Sequence, residues 1–267
     1  MNRLVETFKK LKSYNKTAFI AYVAAGDPDM RTSEYIVRAL SKSGVDIIEL
    51  GIPFSDPMAD GPTIQRAAQR ALESGATVKK IMGMAKRLRE EMSTPFVYMT
   101  YYNIVLNYGI KNFIADSLKN GVDGLIVPDA PMEEAGELVE AARNTDFSVI
   151  LLAAPTTSVE RYRKIASLSR GFVYYVSLTG VTGARKAVQS EVKKKVSGFK
   201  KCSKLPVCVG FGVSTSEQAK TIAKYSDGVI VGSAIVNIIA ANLKNKKRMI
   251  AEISKFVEGM ANAVHGG

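Results

Sequence analysis

Histidine is almost absent from this chain of 267 residues: His265, close to its end, is the only one. Acid–base chemistry must therefore fall on carboxylates, tyrosines or lysines, and a metal centre built on imidazoles is excluded. Cysteine is nearly as scarce. Cys202 and Cys208 are too few and too isolated for a disulfide framework or a zinc site, which points to a reducing cytoplasm. No apolar run approaches the roughly 18–20 residues needed to cross a bilayer, so no membrane attachment is expected. The stretch 1–11 has helical apolar spacing at Leu4, Val5, Phe8 and Leu11, yet it carries Glu6 and lacks the long apolar region of a secretory signal. It reads as an N-terminal capping helix. No Gly-x-Gly-x-x-Gly opens the first helical segment, which removes the usual dinucleotide-binding sheet. No Pro/Ser-rich linker or shift of composition divides the chain either. Residues 1–267 are thus expected to form one domain, and 46% hydrophobic content suffices to fill its core.

Acidic residues are outnumbered, 25 against 37 Lys and Arg, for a formal net charge of +12. Such an excess raises the question of nucleic acid. The lysines gather at Lys193, Lys194 and Lys195, at Lys200, Lys201 and Lys204, and from Lys244 to Arg248. No aromatic residues are interleaved with them for base stacking. A solvated basic face, with a general pull on anionic substrates, is the expectation.

What the chain does have is a repeating alternation. Short runs rich in Val, Ile, Phe and Tyr occupy 18–24, 46–50, 96–101, 124–127, 148–152, 172–176, 207–210 and 228–231. Amphipathic segments fall at 32–43, 78–92, 110–120, 133–143, 159–169, 188–201, 215–225 and 246–263, with stops at Gly44, Gly121 and Gly171. Eight such units in about 250 residues fit a closed (β/α)₈ TIM barrel. Residues 62–74 form an extra helix after strand two.

Chemistry in such a barrel belongs at the carboxyl ends of the strands. Asp27, Glu49, Tyr101 and Asp129 follow the first four. Glu49 ends the apolar run Val45-Asp46-Ile47-Ile48, where an acid is costly unless paired or used. Beyond it, a loop stiffened by Pro53, Pro57 and Pro62 leads to a second carboxylate, Asp60. Asp60 could also be a turn residue or the cap of the extra helix. Asp27 is expected to cap a turn, Asp129 to shape the site, and Tyr98, Tyr102 and Tyr175 to pack. His265 reads as an exposed tail residue. Strand alternation turns Tyr101 rather than Tyr102 inward. Gly210-Phe211-Gly212-Val213-Ser214 and Gly232-Ser233-Ala234-Ile235-Val236 follow strands seven and eight, where this fold commonly binds phosphate. Their glycines let backbone amides approach an anion, and Ser233 adds a hydroxyl. The loop Gly180–Gly183 is expected to close over the site.

The run from Glu49 to Gln65, Glu-Leu-Gly-Ile-Pro-Phe-Ser-Asp-Pro-Met-Ala-Asp-Gly-Pro-Thr-Ile-Gln, resembles the signature of the tryptophan synthase alpha chain family. The likeness extends along nearly the whole chain. It includes Ala25-Gly26-Asp27-Pro28, Met99-Thr100-Tyr101-Tyr102-Asn103, Val127-Pro128-Asp129, Gly180-Val181-Thr182-Gly183-Ala184 and the two glycine loops after strands seven and eight. The resemblance implies a lyase that splits indole-3-glycerol phosphate into indole and glyceraldehyde 3-phosphate. It puts the catalytic pair at Glu49 and Asp60, the tyrosine beside the glutamate at Tyr174 and the lid threonine at Thr182. Substrate contacts would also come from Tyr22, where the family often has Phe, and from Tyr101 and Phe211. Gly183, Gly212, Gly232 and Ser233 would hold the phosphate. No organic cofactor is implied on this chain. Pyridoxal phosphate would sit on a beta partner in an alpha2beta2 heterotetramer, touched by Pro53, Asp56 and Pro57.

The chemistry accounts for two acids. Cleavage requires a proton at indole C3, stabilisation of the positive charge that builds on the ring nitrogen, and a base for the adjacent side-chain hydroxyl. Glu49 is expected to serve as acid and then base, its pKa raised toward roughly 6–7 by its apolar strand end, with Asp60 on the nitrogen. A Schiff-base route lacks its lysine: strand six ends in Val176-Ser177. Two alternatives remain open on sequence grounds, a stand-alone lyase that releases indole and a non-catalytic subunit that only supports a partner.

Overall fold

In the computed structural model, residues 2–176, 185–210 and 212–266 are described, with only the helical backbone for 185–189. The first helix, α1 (Arg3–Ser13), starts at Asn2, whose side-chain oxygen accepts the amide of Leu4 at 2.9 Å. The Asn2 amide also donates to Ser148 Oγ at 2.9 Å. This cap fixes α1 across the amino-terminal mouth of a barrel, and Leu4, Phe8 and Leu11 on one helical face plug it.

The strands are β1 (Ala18–Ala24), β2 (Ile47–Gly51), β3 (Phe96–Met99), β4 (Gly124–Ile126), β5 (Ser148–Ile150), β6 (Leu152–Ala153), β7 (Val173–Val176), β8 (Val207–Gly210) and β9 (Gly228–Val231). All pairings are parallel, in the order β5-β4-β3-β2-β1-β9-β8-β7-β6. Only Leu151 separates β5 from β6. They are two halves of one strand, the first bonded to β4 and the second to β7. The sheet therefore closes on itself as the eight-stranded barrel that the sequence predicts.

Helices α2 (Met30–Lys42), α3 (Pro62–Glu73), α4 (Val78–Glu91), α5 (Tyr102–Tyr108), α6 (Ile110–Lys119), α7 (Gly136–Ala142), α8 (Val159–Leu168), α9 (Arg185–Cys202), α10 (Ser216–Ala223), α11 (Ser233–Ala241) and α12 (Lys246–His265) accompany them. The extra helix after strand two is α3. Two others, α5 and α11, are additions to the sequence reading. The first is short and closes at Gly109; the second is almost wholly apolar, with Ile235, Val236 and Ile239 buried, so it shows no polar stripe.

Period-two alternation divides each strand between two cores. Ile20, Ile47, Val97, Ile126, Ile150, Cys208 and Ile230 fill the barrel interior, whereas Phe19, Ile48, Leu50, Phe96, Tyr98 and Val229 face the helices. Glu49 falls on the inward set, two residues after Ile47. Gly124 lies inward too, paired with Ser148. A Cβ there would stand 2.8 Å from the Ser148 carbonyl oxygen, which belongs to the backbone and cannot swing aside. Gly124→Ala is therefore expected to lose about 1–3 kcal/mol of stability through overpacking. Urea melts of the variant and the parent measure it; coincident midpoints would show that the ladder yields freely.

His265 is not a loose tail residue. It ends α12 with Nε2 2.8 Å from Asp46 Oδ2, and that same oxygen accepts the amide of Phe19 at 2.7 Å. The last helical turn is thus fastened to the start of β2.

Candidate active site

The carboxyl ends of the strands gather most of the residues singled out in the sequence. Tyr22 lies in β1 directly opposite Glu49 in β2, Tyr174 lies in β7, and Tyr101 follows β3. Gly232 is the cap residue of α11 and Ser233 its first residue. Gly212 follows β8 with φ +74°, a conformation that glycine adopts without strain. Thr182, Gly183 and Phe211 lie outside the described residues, as does the expected lid loop.

Glu49 is fully buried, and neither carboxyl oxygen has a hydrogen-bond partner among the described residues. Burial alone pushes its pKa up to about 8. That exceeds the expected range because no donor stabilises the charged form; even the nearby Tyr174 hydroxyl is not bonded to it. Two rings flank it, and each exists because a neighbouring strand carries glycine. A Cβ on Gly51 would lie 2.2 Å from the Tyr22 hydroxyl, and one on Gly210 would lie 2.4 Å from the Tyr174 hydroxyl. Both phenols are held well above their ordinary pKa, first by burial and then by the nearby carboxylates. They remain neutral at physiological pH.

Beside them opens a cleft lined by Tyr22, Phe54, Asp60, Ala68, Tyr101 and Pro128 among others. Glu49 does not reach its surface. Asp60 does, and its geometry differs from that of a helix cap. Gly61 is the cap residue of α3 and makes no side-chain bond. The Asp60 carboxylate instead accepts from the Tyr101 hydroxyl at 3.0 Å, while Gln65 Nε2 donates to the Asp60 carbonyl at 2.8 Å. Burial raises the Asp60 pKa and the Tyr101 hydrogen bond opposes the rise. Pro53 is buried in the cleft wall. Asp56 is exposed, with the Ser55 hydroxyl on its carboxylate at 2.5 Å, Pro57 is half-buried, and Met58 at the loop tip is 86% exposed.

Asp27 does more than cap a turn. Its buried carboxylate takes a two-pronged bond from Arg70, Nε to Oδ1 and Nη2 to Oδ2, both 2.8 Å. That pair ties the loop after β1 to the inserted helix α3. Arg70 escaped the sequence reading, since nothing local marks a partner 43 positions away. Asp129 does shape the site: its Oδ1 accepts the amide of Tyr102 at 2.9 Å and caps α5 from the neighbouring loop, because Tyr101 at the cap position makes no side-chain cap bond. At the opposite rim, the first intrahelical bond of α11 runs from Ile235 to the Gly232 carbonyl, which leaves the amides of Ser233 and Ala234 at the open helix end. A helix N-terminus with no side chain on its cap residue suits an anion.

The family model described as tryptophan synthase alpha chain matches residues 8–265. The tryptophan synthase alpha chain of Geobacter sulfurreducens is 45% identical over 268 residues, covering 99% of this chain and 99% of that protein. The corresponding chain of Caldanaerobacter subterraneus is 47% identical, covering 96% and 97%. Among solved structures, tryptophan synthase subunit alpha from Legionella pneumophila superposes with a TM-score of 0.92 at 38% identity, covering 99% of this chain and 98% of that one. A chain from a study of mutual activation of the tryptophan synthase a2b2 complex of Pyrococcus furiosus superposes at 0.84 with 40% identity, covering 92% and 98%.

Proposed function

The chain belongs to the tryptophan synthase alpha chain family, and from that premise we propose how its own residues perform the lyase reaction of that family, cleavage of indole-3-glycerol phosphate into indole and glyceraldehyde 3-phosphate. The observation that carries the reading is Glu49, a buried acid without a partner, set by strand alternation at the catalytic end of the barrel with a pKa near 8. At neutral pH it holds its proton and is poised to give it up.

The sequence of events follows from that state. Once substrate is bound, the Glu49 side chain turns from its buried seat toward the cleft and delivers its proton to indole C3, which becomes tetrahedral, and positive charge spreads to the ring nitrogen. The Asp60 carboxylate accepts the ring N–H and stabilises that charge. Glu49, now ionised, takes the proton of the hydroxyl on the adjacent side-chain carbon. Its electrons form the aldehyde carbonyl, the bond from C3 to the side chain breaks, and that electron pair restores the aromatic ring. Glu49 ends protonated, ready for the next turnover. The phosphate is held through backbone amides at Gly212, Gly232 and Ser233, and the family resemblance adds Thr182, Gly183 and Phe211, which lie outside the described residues. Tyr22 and Tyr174 wall the indole.

The chain uses no organic cofactor in this reaction; pyridoxal phosphate belongs to the beta partner, which consumes the indole in tryptophan biosynthesis. Pro53, Asp56 and Pro57 lie on the loop that meets that partner in an alpha2beta2 assembly. Among the described residues no helix is long and apolar enough to cross a membrane, and the reading places the enzyme in the cytoplasm.

Incubation with indole-3-glycerol phosphate, alone and with a tryptophan synthase beta chain, is the test. Indole is expected in the first case and faster formation in the second. No indole in either case would sink the lyase reading, and unchanged rates would sink the complex.

A further inference from the structure

We infer that Tyr101 is the positioning residue of Asp60: the acid-bearing loop folds around this one side chain, which aims the carboxylate and acts on the reaction through it. The inference deepens the proposed function and rests on its assignment of Asp60 to the indole nitrogen.

Asp60 belongs to no helix or strand, and a loop carboxylate wanders unless something fixes it. Three contacts from the loop converge on Tyr101. The Phe54 ring lies against the Tyr101 ring, centroids 5.3 Å apart and planes 31° from parallel. The amide of Ala59 donates to the Tyr101 hydroxyl oxygen at 3.0 Å, and that hydroxyl donates to Asp60 Oδ2 at 3.0 Å. A phenol has one proton to give. With the Ala59 amide occupying a lone pair, the proton is directed at the carboxylate, so backbone and side chain of the loop are referenced to one oxygen atom.

That atom is itself rigidly placed. Tyr101 is 5% exposed and lies just past the end of β3, with only Thr100 between. The backbone around it is bonded on both sides, by the Ile52 amide to the Met99 carbonyl at 2.9 Å and by the Thr100 amide to the Ile126 carbonyl at 3.1 Å. The barrel wall thereby sets the position of a carboxylate carried by a loop. Oδ2 is engaged from the wall, while Oδ1 carries no hydrogen bond among the described residues and is left for the ring N–H. The same bond favours the ionised carboxylate against the burial that disfavours it.

A double-mutant cycle separates this role from direct contact with substrate. Indole formation is measured for the parent, Tyr101→Phe, Asp60→Asn and the double variant, with thermal melts to confirm that all four fold alike. Asp60→Asn should lower kcat by about 10²–10³-fold. Tyr101→Phe should lower kcat by about 10–100-fold with KM within about threefold of the parent. In the double variant the Tyr101 change should cost less than about threefold more than Asp60→Asn alone. Tyr101→Phe should also move the acidic limb of the kcat profile to higher pH, because the carboxylate loses the donor that holds its pKa down.

Losses that multiply, or a raised KM with an unmoved acidic limb, would mean that Tyr101 touches the substrate on its own account and would overturn the inference. Unchanged activity in Tyr101→Phe would overturn it as well. Full activity in Asp60→Asn is a separate outcome: it removes Asp60 from the reaction, and the inference falls with it.

Discussion

Glu49→Gln is expected to abolish indole formation, lowering kcat by at least about 10³-fold, since each positioned proton transfer is worth about 10²–10⁴ in rate and Glu49 serves two of them. Glutamine fills the same space and has no titratable proton to give or to take back. Affinity for the phosphate end should be spared, because Gly212, Gly232 and Ser233 follow β8 and β9 and have no bond to Glu49. Steady-state indole assays and calorimetric binding of glycerol phosphate read the two quantities apart. Retention of more than about a tenth of the parental kcat would remove Glu49 from the proton path. In the parent, the protonated acid starts the cycle, so turnover should decline as pH rises through about 8.

The second large effect concerns stability, with a sign opposite to that of an ordinary carboxylate. Most native acids are held down by a partner and stabilise the fold once ionised. Glu49 goes from 4.5 in its ordinary state to about 8 in the fold. Below the lower value both folded and unfolded chains bind the proton, and the group contributes nothing to the balance. Between the two values the unfolded chain ionises and the folded one does not, so stability falls as pH rises. The slope is about 1.4 kcal/mol per pH unit, and the fall totals roughly 4–5 kcal/mol by the time the folded value is passed. Above that pH it grows no further.

Glu49→Gln should remove this slope. Subtracting the urea-denaturation free energies of parent and variant gives a difference that widens by about 3–4 kcal/mol in favour of the variant between pH 5 and pH 8. Curves that stay parallel over this interval would mean that the acid is solvated or paired in solution. The enzyme thus keeps its catalyst at the expense of stability, in accord with the general opposition between active-site chemistry and packing.

How much of this could be read from the chain depends on the range of each signal. Strands β1, β8 and β9 appear in the sequence at their observed bounds because a run of β-branched residues is a local pattern. The fifth strand reads as one run, 148–152, and folds as β5 and β6 because its two halves pair with different neighbours. Helices α5 and α11 escaped for a complementary reason: one is too short for a period, and the other is apolar on nearly every face. Glu49 and Asp60 were legible as acids in unusual settings. Their surroundings were not. A buried glutamate with no partner has the same letters around it as one bonded to Tyr174, and the Arg70–Asp27 pair and the His265–Asp46 contact join positions 43 and 219 apart.

The glycines beside the two flanking tyrosines have one more consequence. Gly51 and Gly210 touch no substrate in the proposed reaction and donate nothing to it, yet the space they leave is what seats the Tyr22 and Tyr174 rings next to the acid. Those rings help to bury Glu49, and burial is what holds its proton in place. The acid strength of the catalyst is therefore written partly at two positions that possess no side chain. A single methyl group added there would retune the pH at which the enzyme works without altering any group that takes part in the chemistry.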